Sequence, residues 1–391
     1  MAIYLDNNAT TPLVPEVWEA MRPFLEGPPG NPASSHRFGR HARKALEDSR
    51  ERIAGFLDAA PDEVIFTSGA TEANNLAVSG LAAPAPGSIV VSSVEHPSVL
   101  EPARQRAAEG YTLATLPVTE RGSIDLSRAD FPADMRLLSV MLANHETGAL
   151  QPMEALVERL RGQAPFHCDA AAAVGKIPVS FRRLGVTAMT ISAHKFHGPQ
   201  GIGALILKQG TKLRPLFRGG HQQHGRRPGS EPVALAVGMA AALDWCIRNQ
   251  AEHLSRVTKL RQRFLDRLRA ESPPVVLNGP ETDGVPHTIN LSFPGCAADV
   301  FLMNLDLAGV ACSTGSACSS GSLLPSPVLR AMGLEAPIFG SAMRFSLSAL
   351  TAEVEIDKAC GLISQCARDL RRAGEAEIYP DAETKSMVTS H

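Results

Sequence analysis

A lysine stands at the centre of the most informative stretch of the chain, Thr190-Ile191-Ser192-Ala193-His194-Lys195-Phe196-His197-Gly198-Pro199-Gln200-Gly201-Ile202-Gly203. Apolar runs at 187–191 and 204–207 flank it and read as short buried strands. An ammonium between buried strands is costly unless its pKa falls or it is used covalently. A lone lysine in such a turn would read as a surface residue on a hairpin. Here Ser192 and His194 add polar groups beside it, and Asp169 ends another apolar run 26 residues upstream. A lysine that can condense with an aldehyde and a carboxylate that can keep a ring nitrogen protonated are what a pyridoxal-phosphate site requires.

Other stretches add candidates, each with a plainer reading beside it. Thr67-Ser68-Gly69-Ala70-Thr71-Glu72 follows a strand and opens a helix, so its N–H groups and hydroxyls can cup a phosphate. Many helices simply cap in this way. His96, in Glu95-His96-Pro97, sits at a strand end, where a histidine is often structural. Asp169 could instead cap a helix starting at Ala170. Arg344, in Ala342-Met343-Arg344-Phe345-Ser346-Leu347, alternates like a strand residue, and its guanidinium suits bidentate capture of a carboxylate. On an edge strand it could equally face outward. Cys318 lies in Ser313-Thr314-Gly315-Ser316-Ala317-Cys318-Ser319-Ser320-Gly321-Ser322, too rich in glycine and serine to be packed core and therefore expected to be mobile. Cys312, six residues earlier, reads as structural.

Together these motifs resemble the cysteine desulfurases, in the class V aminotransferase branch of the fold-type I pyridoxal-phosphate enzymes. The match runs from Tyr4-Leu5-Asp6-Asn7-Asn8-Ala9-Thr10-Thr11-Pro12 to Arg344-Phe345-Ser346-Leu347. The Gly-Ser-Ala-Cys core around Cys318 is similar to the subgroup serving iron–sulfur assembly. The resemblance implies that Lys195 carries pyridoxal 5′-phosphate and that Asp169 faces its ring nitrogen. His96 would stack on the ring and serve as a proton acceptor. Ala70, Thr71, Ser192 and His194 would hold the phosphate. Ser230, in the basic loop Gly219 to Ser230, would reach the phosphate of a partner subunit, which implies a homodimer. Arg344 would bind the substrate carboxylate, with Asn31 of Gly30-Asn31-Pro32 a weaker candidate. Cys318 would take sulfur from L-cysteine as a persulfide, leave L-alanine, and pass the sulfur to an iron–sulfur scaffold or thiolation relay. Two positions depart from the family: Ala172 stands where a glutamine usually contacts the 3′-oxygen, and His145 replaces a cofactor-binding asparagine. His145 either points into the site and titrates near a pKa of about 6.5, or packs elsewhere while water fills the space at Ala172. The alternatives are a selenocysteine lyase or other class V aminotransferase-like enzyme, and a non-catalytic sulfur-transfer scaffold. Cys318 argues against the first, and Lys195 with Asp169 against the second.

The elements that must position these residues alternate. Strands are expected around 65–66, 89–91, 137–142 and 189–191, with helices over 40–57, 71–81 and 153–161. That pattern predicts an α/β fold with a mostly parallel sheet and its sites at the carboxyl ends of the strands. A long helical stretch over 233–270 leads to a strand–helix–loop–strand–helix order from 288 to 372, a smaller α+β domain. The expected division is a large cofactor domain at 15–257, a small domain from 1–14 and 258–373, and a flexible tail at 374–391. With 391 residues, 44% of them hydrophobic, the chain can bury sizeable cores. A net charge of −2 gives no reason to expect nucleic-acid or membrane-surface binding. The apolar start at 2–5 is too short for a signal peptide, so a cytoplasmic location is expected. Seven cysteines without framework spacing read as reduced thiols, and the absence of a Cys-x-x-Cys pair argues against zinc.

Overall fold

The computed structural model describes residues 2–82, 85–315 and 326–378. The strands are β1 (Ile3–Tyr4), β2 (Val64–Thr67), β3 (Ser88–Ser92), β4 (Thr112–Leu116), β5 (Met135–Met141), β6 (Phe166–Asp169), β7 (Ala188–Ser192), β8 (Gly203–Leu207), β9 (Val276–Leu277), β10 (Thr288–Ser292), β11 (Val310–Ala311) and β12 (Ala342–Ser346). The helices are α1 (Pro15–Glu26), α2 (Arg37–Phe56), α3 (Ala70–Leu81), α4 (Pro97–Ala108), α5 (Met153–Leu160), α6 (Phe181–Leu184), α7 (Val233–Arg248), α8 (Gln250–Glu271), α9 (Ala298–Leu307), α10 (Pro327–Ala331), α11 (Ala336–Phe339) and α12 (Glu353–Ile378).

Among the described residues the main sheet has seven strands in the order β2-β8-β7-β6-β5-β3-β4. Only β8 runs against its neighbours; every other pairing is parallel. Central strands such as β3, β7 and β8 are buried at every position, as strands covered on both faces must be. Helices α3 and α4 cover one face, packing Ala73, Leu76, Val99 and Ala103 on Ile65, Ile89 and Leu137. Helices α1, α2, α5 and α7 cover the other. There α7 presents small residues, and a Cβ on Gly238 would lie 2.5 Å from the Met21 sulfur.

A second core surrounds the antiparallel trio β12-β10-β9 and the parallel pair β1-β11. Ile3 and Leu5 join Phe264, Phe293, Phe301 and Phe345 there, with α8, α9 and α12 packed around them. The ring pairs Phe264–Phe345 at 5.2 Å and Phe293–Phe301 at 4.9 Å tie helices to strands. Such pairs add about 0.5–1.5 kcal/mol beyond their area.

Two boundaries differ from expectation. The stretch 233–270 is two helices, interrupted where Asn249 leaves helical geometry (φ −105°, ψ 10°). The break passes the chain from the core holding Met239 and Leu243 to the one holding Leu260 and Phe264. At the other end α12 runs on to Ile378, into the expected tail. None of the helices among the described residues is long and apolar enough to cross a membrane.

Candidate active site

Strand ends β2, β3, β5, β6 and β7 open on one cavity of about 750 Å³. Its lining includes Ala70, Thr71, His96, His145, Asp169, Ser192, His194, Lys195 and Arg344. A larger groove of about 950 Å³ beside α5 and α6 holds none of these residues.

Lys195 ends a 3-10 turn that follows β7 directly. Ala193 and Phe196, both fully buried, anchor the turn on either side. His197 adopts φ +66° and is held by its own N–H to Thr11 Oγ1 (2.7 Å) and by its ring against Pro12 O (2.9 Å). The lysine Nζ donates to the carbonyls of Asn8 and Ala9, the latter at 3.1 Å.

The expected phosphate cup falls at the start of α3. Gly69 has φ +152° and gives the helix no side-chain cap. Glu72 is drawn away, accepting from Ser68 N–H (2.6 Å) and from Arg227 (2.7 and 3.2 Å). Gly203 approaches so closely that its Cβ would lie 2.8 Å from Gly69 Cα. Ser192 Oγ is buried with no hydrogen-bond partner. An uncapped helix N-terminus beside an unpaired hydroxyl suits an anionic oxygen. His194 lies 3.2 Å from Thr10 Oγ1, and burial, with the Lys195 charge second, lowers its pKa to about 4. It is therefore neutral at physiological pH.

Asp169, at the end of β6 and 6% exposed, accepts from Asn74 Nδ2 at 2.7 Å and from Ala171 N–H at 3.0 Å. The second bond is the turn-capping expected of the plainer reading; it uses one carboxylate oxygen and leaves the other to Asn74. His96 caps α4, its Nδ1 accepting from Ser98 N–H at 3.1 Å. Burial holds its pKa below the ordinary value, with the Asp169 charge opposing and Lys195 assisting. A neutral ring with Nδ1 as acceptor carries its proton on Nε2. In this tautomer His96 offers an N–H from Nε2.

His145 does border the cavity, edge-on to His96 with ring centroids 5.2 Å apart. Its Nδ1 is buried without a partner. The expected titration near neutrality is overturned. Burial, then the charges of His96, Arg344 and Lys195, holds its pKa well below the ordinary range. Its carbonyl accepts from Asn8 Nδ2 (3.0 Å) and Arg344 Nη1 (3.3 Å).

Arg344 is 2% exposed, so the outward-facing alternative fails. Its Nη2 pairs with Asp6 at 2.9 Å and its Nε has no partner. Sequence reasoning missed Asp6 as that partner, Asn8 as the brace under His145 and Lys195, and Asn74. The signal for Asn74 was a polar residue on the apolar stripe Ala73, Leu76, Ala77.

Asn31 and Ser230 are exposed and do not line the cavity; Asn31 Oδ1 accepts from Ala33 N–H at 2.9 Å. Cys318 lies outside the described residues. The described chain on either side of it is fastened near the site. Ser313 exchanges backbone bonds with Arg344 (3.1 and 2.6 Å), and Ser326 Oγ donates to buried Glu146 at 2.5 Å. Cys312 is a poor nucleophile, because burial pushes its thiol up to about 12. Among the described residues no group of three or more His, Cys, Asp or Glu is placed to hold a metal ion.

A lysine and a buried aspartate at neighbouring strand ends, with an uncapped helix start lining the same cavity, define a pyridoxal-phosphate enzyme of fold type I. The chain belongs to the aminotransferase class-V family, which matches residues 3–359. It is similar to a protein named cysteine desulfurase IscS from Dictyoglomus turgidum, 42% identical over 376 residues, which cover 94% of this chain and 95% of the relative. It is also similar to cysteine desulfurase NifS from Azotobacter vinelandii, 39% identical over 376 residues, with 94% and 93% covered. Among solved structures, a NifS-like protein superposes with a TM-score of 0.88 at 32% identity, covering 94% of this chain and all 100% of its own. The structure of SspA in complex with cysteine gives 0.78 at 30% identity, with 89% and 99% covered.

Proposed function

We propose that the protein is a pyridoxal-phosphate-dependent cysteine desulfurase, converting L-cysteine to L-alanine and passing the sulfur through Cys318 to an acceptor protein. The observation carrying this reading is the convergence of Lys195, Asp169, His96 and Arg344 on one cavity, with Ser313 bonded to Arg344 through the backbone. The names of the similar proteins support it.

The residues present fit the cofactor. Lys195 would hold its aldehyde, Asp169 its ring nitrogen, and Ser192, His194, Ala70 and Thr71 its phosphate. When bound, the cofactor supplies an electron-accepting ring that stabilises negative charge at the substrate Cα. Arg344, already aimed by Asp6, takes the substrate carboxylate. Lys195 accepts the Cα proton once its amine is free. Asp169, buried at the end of β6, would hold the proton on the ring nitrogen. The His96 ring would lie against the bound cofactor. The Cys318 thiolate then attacks the substrate sulfur: a sulfur–sulfur bond forms, the carbon–sulfur bond breaks, and its electron pair stays with the carbon that becomes alanine's methyl.

On this reading residues 15–257 form the cofactor-binding part and 1–14 with 258–373 the smaller part that carries the cysteine loop. The enzyme acts as a cytoplasmic homodimer in which exposed Ser230 reaches a partner's phosphate, and Asn31 borders the substrate entrance. The acceptor belongs to iron–sulfur assembly or a thiolation relay. Incubation with L-cysteine and a thiol reductant tests the reaction. Equal amounts of alanine and sulfide are expected, while a keto acid in place of alanine would overturn the reading.

A further inference from the structure

Asn74 joins the two groups placed against the cofactor ring. It sits on α3, fully buried, on the face that otherwise packs Ala73 and Ala77 into the apolar core. Its Nδ2 donates to Asp169 Oδ2 at 2.7 Å and to Ser98 Oγ at 2.8 Å. The carboxylate fixes which way the amide points. Turned by half a rotation, the amide oxygen would face a carboxylate oxygen at that distance. Both amide hydrogens are therefore committed, and Oδ1 is left buried with no partner. A fold that leaves an amide oxygen unsatisfied in this way gives both hydrogens to this pair of acceptors at the expense of its own hydrogen bonding.

The chain of donors continues through Ser98. Its Oγ accepts from Asn74, so its own hydrogen is free for His96 Nδ1, 2.7 Å away. The Ser98 backbone N–H approaches the same nitrogen at 3.1 Å. With two donors aimed at Nδ1, that atom must present a lone pair, and the neutral ring keeps its proton on Nε2.

We propose that Asn74 is a positioning residue: one buried amide orients the Asp169 carboxylate and, through Ser98, selects the Nε2–H tautomer of His96. This rests on the roles given above to Asp169 and His96. Coupling the two has a chemical use. The carboxylate is held in one orientation, with Asn74 on Oδ2 and the Ala171 N–H on Oδ1. In that tautomer the His96 Nε2 carries hydrogen and does not act as a base.

Nitrogen-15 NMR of histidine-labelled protein tests this, with His96 assigned by the His96→Gln variant. In cofactor-free protein His96 should show a protonated Nε2 and an unprotonated, hydrogen-bonded Nδ1. Ser98→Ala, which leaves only the backbone N–H facing Nδ1, should shift the ring toward a mixture of tautomers while the Asn74–Asp169 bond survives. Asn74→Ala should disturb the tautomer and also weaken cofactor binding about tenfold, the scale expected for losing a hydrogen bond to a charged group. Circular dichroism establishes that each variant is folded. A protonated Nδ1 in the parent protein would overturn the proposal even if no Asn74 variant folds, and so would an Asn74→Ala protein with parental tautomer and affinity. Because the tautomer is read without cofactor or turnover, these results stand apart from the alanine assay, whose failure would strike the proposed reaction instead.

Discussion

One wall of the cavity, Asp169, Ser192 and Lys195, is built by residues that end or directly follow a strand; in the facing wall, Asp6 meets Arg344 across 338 positions of sequence. In the first wall a buried strand delivers its last side chain to the cavity, and a short turn does the rest. In the second, the N-terminal segment is laid across β12. Asn7 Nδ2 donates to Ser346 O (2.8 Å), Asn8 N–H to Ser346 Oγ (2.8 Å), and Asn8 Nδ2 to Thr288 Oγ1 (2.8 Å). Lys195 spans the two, reaching the Asn8 and Ala9 carbonyls. Chemistry assigned to the cofactor therefore rests on local geometry, while the group assigned to substrate rests on the meeting of distant segments.

That contrast can be broken at several points. Lys195→Ala is expected to abolish alanine formation and the visible absorbance of bound cofactor, since its motif holds no second amine. Turnover at the parental rate would refute the first wall's role.

Asp6→Ala attacks the second wall. It strands the Arg344 guanidinium, whose side chain is 3% exposed against 19% for Asp6. The expected loss is about 2–4 kcal/mol of stability, below the upper range for pairs buried on both sides. The KM for cysteine should rise about tenfold, with bound-cofactor absorbance retained. Loss of cofactor instead would mean that the walls do not divide the work in this way.

A smaller effect should come from Glu95, wholly buried behind His96, whose carboxyl burial pushes up to about 8 from 4.5. Within that window the unfolded chain releases the proton and the folded protein keeps it, so stability falls as pH rises from 4.5 toward 8. In Glu95→Gln that fall disappears. Its melting temperature relative to the parent should climb by several degrees across the window, measured by differential scanning calorimetry. A constant offset would mean that Glu95 is ionised in the native protein.

The smallest effect is expected at His145. Because its ring stays neutral, His145→Asn should leave the shape of the pH–rate profile unchanged. Disappearance of an ionisation near neutrality would show that His145 titrates after all.

The same contrast explains what could be read from the sequence. Lys195, Asp169, His96 and the cup at Ala70 and Thr71 were legible because each follows a strand in a short apolar run, so period and punctuation locate them. Arg344 was legible as a type, but its pairing with Asp6 depends on β1 joining β11 and on the bridge between Asp6 and Ser346, which no local pattern encodes. Asn74 was hidden in the helical stripe it interrupts. The break at Asn249 was hidden because both flanking segments are good helix formers, and only their separate cores require the chain to turn. The neutral state of His145 follows from burial and three surrounding basic groups, information that appears only once the chain is folded.

After brief exposure to L-cysteine without reductant, peptide mass spectrometry should find one added sulfur on the peptide carrying Cys318, and none after Cys318→Ser, which should still bind cofactor. Sulfur found on Cys312 instead, or alanine formed at the parental rate by the Cys318→Ser protein, would contradict the account.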